Sequence, residues 1–172
     1  MANAKIAYAP SVTLTQTNLD GIASNATWTA GWTSDAIDNA TSNQYLDYIV
    51  NAQVQVESTG LSAGEIRLYF YTMLNDTTWP DVFSAGTEGT EGTCTIHDTE
   101  IRDATFRLGA VVITDTTVSR YYQLMVPSVA AVFGGTVPRK FAVYITQSTG
   151  TTLETTSDPN QVYVTGVYAT VS

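Results

Sequence analysis

The chain holds one cysteine and one histidine, and they lie three positions apart, as Cys94 and His97. A base beside a thiol can generate thiolate, the form that attacks carbon or binds metal. His97 is followed by Asp98 and Glu100. The same short stretch therefore offers donors for a metal site or a general base. Neither scheme closes. Zinc sites draw on several His or Cys side chains at fixed intervals, and here there is no second of either. The spacing of Cys94 and His97 matches no thiol-catalysis signature, and Cys94 follows a glycine-rich stretch. The sequence predicts a solvated loop histidine and a thiol without a catalytic role, so no metal and no cofactor are expected.

Other groupings invite chemistry. Asp76 and Asp81 flank Trp79-Pro80, and paired carboxylates can hydrolyse glycosides or bind calcium. Loop carboxylates are common, and a solvated loop is the plainer reading. Trp28, Trp32 and Trp79 could stack on sugar rings as in carbohydrate-binding modules, yet Trp is equally a core or interface residue. Arg139 and Lys140 are adjacent in a chain with seven basic residues. They follow the turn Gly134-Gly135-Thr136-Val137-Pro138 and would stand at the entrance of a strand. Either they balance carboxylates of the same subunit, or they contact an acidic patch on a partner or a neighbouring copy. Gly86 to Gly92 is glycine-rich but lacks the Lys-Ser/Thr ending of a phosphate loop. No Gly-x-Ser-x-Gly elbow or dinucleotide fingerprint occurs. No enzymatic activity is expected.

The elements that must carry these residues are strands. Leu46 to Val56 alternates over eleven residues, with Leu46, Tyr48, Val50, Ala52, Val54 and Val56 on one face. That is the period of a half-buried strand. After a turn from Ser58 to Glu65, the run Ile66 to Leu74 puts Ile66, Leu68, Phe70 and Leu74 opposite Arg67, Tyr69, Tyr71 and Met73, so both its faces are covered. The two runs are expected to pair antiparallel. Asn75 to Cys94 reads as one long polar loop, functional or mobile. Phe106 to Ile113 follows, with Phe106, Leu108, Ala110 and Val112 on one face, and then Val118 to Val126. Ser128 to Phe133 suits one helical turn stopped by Gly134-Gly135. Phe141, Val143 and Ile145 alternate in the next strand, and Val162 to Val171 is the last. Weaker strands fall near Val12 to Thr17 and Ala26 to Thr33. About eight strands with no long helix predict an all-β, antiparallel sandwich, jelly-roll-like, with a closed barrel as the alternative.

Composition agrees. Threonine is about one residue in six, and Val, Tyr and Ile are plentiful, types that suit a pleated surface. Charged residues are 13% of the chain, about half the usual share. The outer faces must then be Thr, Ser, Asn and Gln, and open edges on such a surface invite association. A homo-oligomer is expected. The net charge of −9 argues against nucleic acid and against an anionic membrane surface. A single cysteine permits no intrachain disulfide and fits a reducing compartment. The start of the chain predicts neither a secretory signal nor an anchor, and no window approaches a membrane span. The Asn-x-Thr triplets at Asn25, Asn39 and Asn75 are expected by chance in so Thr-rich a chain. One domain is expected at this length.

Two tracts carry a resemblance. Pro127 to Gly150 holds a Gly/Pro turn, the Lys140-Phe141 pair, an apolar strand and the turn Ser148-Thr149-Gly150. Ser34 to Val50 holds Ala36-Ile37-Asp38-Asn39 and then Tyr45-Leu46-Asp47 at the start of a strand. The tract Met73 to Phe83 stands where a long loop would follow. In these features the chain resembles the small all-β structural proteins of tailed bacteriophages. The likeness covers residues 34–172 and leaves residues 1–33, an N-terminal arm or first strands, outside it. It implies a virion component made in the cytoplasm of a bacterial host, a β-sandwich that decorates or cements the capsid shell. The implied partners are the major capsid protein and further copies of itself, a trimer rather than a dimer. A head-fibre, tail or adsorption protein is the alternative within phages, and a carbohydrate-binding module the alternative outside them. No catalytic residue is implied. Arg139, Lys140, Trp28, Trp32 and Trp79 are the candidate interaction residues.

Overall fold

A computed structural model describes residues 3–41, 44–57, 62–117, 119–156 and 159–171. The first strands are β1 (Ala4–Tyr8), β2 (Val12–Thr13), β3 (Ala30–Thr33) and β4 (Ile37–Asp38). The long β5 (Asp47–Gln55) and β6 (Gly64–Thr72) follow, then the short β7 (Phe83–Ala85) and β8 (Gly92–Ile96). After helix α1 (Thr99–Thr105) come β9 (Arg107–Thr114), β10 (Tyr121–Val126), the short helix α2 (Val129–Val132), β11 (Lys140–Gln147) and β12 (Gln161–Val171).

These strands form two antiparallel sheets. One runs β1–β12–β5–β10, with β2 also on β12; the other runs β7–β8–β3–β11–β6–β9, with β4 on β11. Without the two-residue β2 and β4 and the inserted β7 and β8, four strands remain in each sheet. Numbered in chain order, they read first–eighth–third–sixth facing second–seventh–fourth–fifth. That order is a jelly roll. Two separate sheets also exclude the closed barrel.

The core follows the alternation. Along β5 the residues Tyr48, Val50, Ala52 and Val54 are buried, and their neighbours are not. They meet Ile66, Leu68 and Phe70 of β6 and Phe141, Val143 and Ile145 of β11 across the sandwich. Leu19, Ile22 and Trp32 join this core, so the first 33 residues contribute strands to both sheets. A second cluster lies on the outer face of the larger sheet. Tyr69, Tyr71, Ala142 and Tyr144 pack there under Val82, Phe83, Cys94, Ile96 and Phe106. Gln147 is wholly buried, and its amide is satisfied. Its Nε2 donates to the carbonyls of Ile22 and Thr151, and its Oε1 accepts from both the N–H and the hydroxyl of Thr149.

Several expectations are corrected. β5 and β6 do not pair: β5 lies between β12 and β10, and β6 between β11 and β9. A strand covered on both faces is best placed inside a sheet, and the connection between β5 and β6 crosses from one sheet to the other. The stretch Asn75 to Cys94 is not a plain loop, since it contains β7 and the start of β8. The phase expected for Phe106 to Ile113 breaks at Gly109, where the register passes from Leu68–Ala110 to Tyr69–Leu108. This bulge turns Leu108 outward, half exposed, while Ala110 and Val112 face the core. A Cβ on Gly109 would lie 2.5 Å from the Phe70 ring, so only glycine fits. β1 was not expected, and α1 is a further addition. The weak strands at Val12 to Thr17 and Ala26 to Thr33 shorten to β2 and β3. Val118, the expected start of β10, and residues 58–61 of the turn after β5 lie outside the described residues. The helical turn at Ser128 forms as expected, with Ser128 as N-cap accepting from Ala131 and positive φ at Gly134 and Gly135.

Burial makes this fold sensitive to alkali. Loss of solvation pushes the Tyr48 hydroxyl up to about 12, with the nearby Tyr45 and Asp38 adding to it. Burial drives Tyr71 and Tyr144 further in the same direction. A raised folded-state value means the stabilisation is complete below the unfolded value near 10 and is lost as pH rises toward the folded one. Ultraviolet titration should therefore show exposed tyrosines ionising first. Tyr48, Tyr71 and Tyr144 should follow only as the strand-dominated circular dichroism collapses. Ionisation of all ten tyrosines near pH 10 with the dichroism intact would contradict this packing.

Candidate functional site

The residues with chemical potential converge on the insertion between β6 and β9, the layer over the outer face of the larger sheet. Tyr71 is its hub. Its ring packs on Trp79, Phe83 and Phe106 at 5.2, 5.6 and 5.0 Å between centroids. Its hydroxyl lies 2.8 Å from Thr33 Oγ1 and accepts the Gly89 N–H at 2.9 Å. Gly89 has φ +68, and a Cβ there would sit 2.5 Å from the Trp79 indole. The glycine both makes the left-handed turn and lets the backbone lie against the ring.

The Gly-Thr-Glu repeat is ordered by its two carboxylates. Glu88 Oε1 accepts the N–H groups of Val82 and Phe83, both at 3.0 Å. Glu91 Oε1 accepts from Trp32 Nε1 at 2.8 Å and from the Asn18 N–H at 2.9 Å, while Oε2 accepts Asn18 Nδ2. The expected mobile loop is thus a pinned structural layer. The composition of the repeat hid this, because the groups it holds lie up to 73 residues away in sequence.

Cys94 points into that layer and is buried. Burial pushes its thiol well above the ordinary value, and the Glu88 charge pushes the same way. Such a thiol is not a nucleophile at neutral pH. His97 is exposed, with Nε2 3.7 Å from Asp81 Oδ1. Asp98 is the N-cap of α1, accepting the Ile101 N–H at 2.7 Å, and Glu100 accepts the Thr99 hydroxyl. Asp76 pairs with Arg139 at 2.9 Å. The two carboxylates flanking Trp79-Pro80 therefore engage different partners, Asp76 the Arg139 guanidinium and Asp81 the His97 imidazole. Among the described residues no group of three or more His, Cys, Asp or Glu is placed to hold a metal ion.

The three tryptophans have separate duties. Trp32 is wholly buried in the core between the sheets, with no surface for a ligand. Trp79 is half-buried beneath Gly89. Trp28 is also half-buried, adopts φ 61, and carries the Arg67 guanidinium 4.0 Å above its ring. Its carbonyl accepts the Tyr144 hydroxyl, so cation–π and hydrogen-bond contacts hold the strained backbone.

Arg139 and Lys140 both have carboxylate partners in their own chain. Lys140 Nζ is 3.3 Å from Asp38 Oδ2, and Arg139 meets Asp76. The Ala40 N–H, then Lys140, hold Asp38 below the ordinary carboxylate range. The three Asn-x-Thr asparagines are occupied too. Asn25 and Asn75 accept backbone N–H groups two to four residues on, and Asn39 bonds Tyr45 through both ends of its amide.

Apolar surface is left free at sheet edges. β1 ends one sheet and β9 ends the other. On β1 and the adjoining tail of β12, Ile6, Tyr8 and Val171 are exposed, Val171 by 71%. On β9, Leu108, Val111 and Ile113 are exposed, Ile113 by 77%. Period-two reading places Val111 and Ile113 outward but misplaces Leu108, because the bulge that turns it outward has only Gly109 as its signal.

No protein-family model matches the chain, and comparison with curated proteins finds no match.

The Glu91 clamp is testable. Glu91→Ala leaves the buried Trp32 indole N–H without its acceptor. It should cost about 1.5–3 kcal/mol, the range for hydrogen bonds to a charged group. The urea midpoint should fall with the slope unchanged. An unaltered midpoint would mean that the repeat is a loose loop after all.

Proposed function

We propose that this chain is a non-enzymatic structural protein of a tailed-bacteriophage virion, made in the host cytoplasm, that decorates or cements the capsid shell. The observation that carries the reading is the apolar exposure on open edge strands β1 and β9. An edge strand offers unpaired N–H and C=O groups, and proteins that stay monomeric blunt such edges with charge. Here each edge has a single exposed cation, Lys5 on β1 and Arg107 on β9, set among exposed Ile, Leu, Val and Tyr. A surface of that kind is completed by another chain, whether a second copy or the major capsid protein. The likeness of residues 34–172 to phage structural proteins points the same way, as does the jelly-roll order, which recurs in viral capsid proteins. Fold analogy alone would not carry it, because jelly rolls serve many roles.

The mechanism is mechanical. Each subunit buries an apolar edge against its neighbours, and several weak attachments act together. The assembled shell is stabilised by mass action, since the decoration binds only the intact lattice. Arg139 and Lys140 are neutralised within the chain, so they contribute solubility and local order more than partner contact.

Sedimentation of the purified chain should give a trimer, or failing that a dimer, and the chain should bind undecorated particles of its phage. Ile6→Asp and Ile113→Asp should each weaken one or both associations at least tenfold while the circular dichroism stays unchanged. Arg139→Ala combined with Lys140→Ala should bind as the parent does across salt concentrations. A clean monomer at high concentration that also fails to bind particles would overturn the proposal. Salt-dependent loss of binding in the double variant would move the contact to the basic pair.

A further inference from the structure

The outer face of the sheet β1–β12–β5–β10 changes character along its length. Toward β1 it is apolar. Toward β10 it carries two uncharged rungs that run straight across three strands. One is Gln123–Gln53–Gln161, and the next is Met125–Asn51–Tyr163. Between them lies a shallow depression of about 210 Å³, lined by Asn51, Gln53, Gln123, Met125 and Tyr163. Tyr121, half exposed, extends the patch along β10.

The hydrogen-bonding capacity of this patch is unspent. Among the described residues the carboxamides of Asn51, Gln53 and Gln123 have no partner within the chain. Each offers two N–H donors and an acceptor oxygen. Tyr163 is different: its hydroxyl donates to Gln161 Oε1, which fixes the phenol over the rung. The patch therefore combines free amides with an oriented ring, in a hollow on a rigid sheet.

The chemistry selects the ligand. Phosphate, sulfate or carboxylate groups call for Arg or Lys, and neither rung has one. A cation calls for carboxylates, and there are none in the rungs. An amphipathic helix needs an apolar groove, which a row of glutamines is not. A hydroxyl donates and accepts at once, as an amide pair does, and a sugar ring also has a flat C–H face that suits a phenol. Adjacent strands repeat at about 4.8 Å, so neighbouring amides can serve successive hydroxyls of one extended chain.

We infer that the β10–β5–β12 face is a shallow binding site for a neutral polysaccharide. The inference goes beyond the virion reading and does not depend on it, because the isolated chain should bind whether or not it joins a particle. The site uses none of the three tryptophans, and its residues lie on the opposite sheet from the Trp28 and Trp79 layer.

Affinity electrophoresis tests it. The intact chain is run through gels containing dextran, mixed-linkage β-glucan, galactomannan or glucomannan, with alginate as the anionic control. At least one neutral polymer should retard it, and alginate should not. Tyr163→Ala and Gln123→Ala should each reduce that retardation at least fivefold. Gln123 is exposed on an edge strand, so its variant keeps the test valid if Tyr163→Ala fails to fold. Amide chemical shifts of Asn51, Gln53 and Gln123 should move on adding the trisaccharide of the retarding polymer. No retardation in any neutral gel would overturn the proposal, as would equal retardation of the Gln123→Ala chain. Loss of particle binding in Gln123→Ala without any polysaccharide retardation would also overturn it and assign the face to a protein partner.

Discussion

Strand β11 has no free face, and the architecture follows from that. Every residue from Phe141 to Gln147 is buried. Its inner side chains, Phe141, Val143 and Ile145, need a facing sheet, which β5, β10 and β12 supply. Its outer side chains, Ala142 and Tyr144, need a second cover. A four-stranded jelly-roll sheet would leave them wet, at a cost of about 25 cal/mol for each Å² of apolar surface. The insertion between β6 and β9 provides that cover. Its β7 and β8 extend the sheet past β3, and its aromatic side chains close over Tyr71 and Tyr144. The residues with most chemical promise are consumed in this task. Cys94 is a wall of the cluster, Glu88 and Glu91 are clamps, and Asp98 caps a helix.

The acidity of the chain has the same structural side. Asp38, Asp115 and Glu154 are held below the ordinary carboxylate range, in each case first by a backbone N–H: that of Ala40, Thr117 and Thr156 respectively. Depressed folded-state values give stability that is present above the ordinary values of 3.8 and 4.5 and lost as pH falls through the folded ones. Among the described residues, five of the seven basic side chains pair with carboxylates inside the chain. Most of the basic charge is thus spent on local order.

Alternation made β5 and the inner face of β11 legible in the sequence, and the punctuation by Ser128 and Gly134-Gly135 made α2 legible. The sandwich class followed from these. The partner of each strand did not. β5 and β6 are neighbours in sequence, and a hairpin is the simplest guess. Only the two-sided burial of β6 argues for a central place in the other sheet. The Gly-Thr-Glu repeat reads as mobile because local composition cannot show that Glu91 reaches Asn18 and Trp32. Likewise the partners of Arg139 and Lys140, Asp76 and Asp38, are far away in the chain, so the sequence left two roles open. The amide rungs were invisible for a related reason. Asn51, Gln53, Gln123 and Gln161 come from three strands, and only the register puts them side by side.

Residue-resolved amide hydrogen exchange on the folded chain tests the central claim that β11 and its outer cover are one cooperative unit. The amides of β8 at Cys94 and Ile96 should exchange with the same free energy as those of Val143 and Ile145 in β11, both near the global unfolding value. They should also respond in parallel to added urea. Exchange of the β8 amides at a much lower free energy, with β11 still protected, would contradict the account. It would show that the insertion opens on its own and that β11 does not need it.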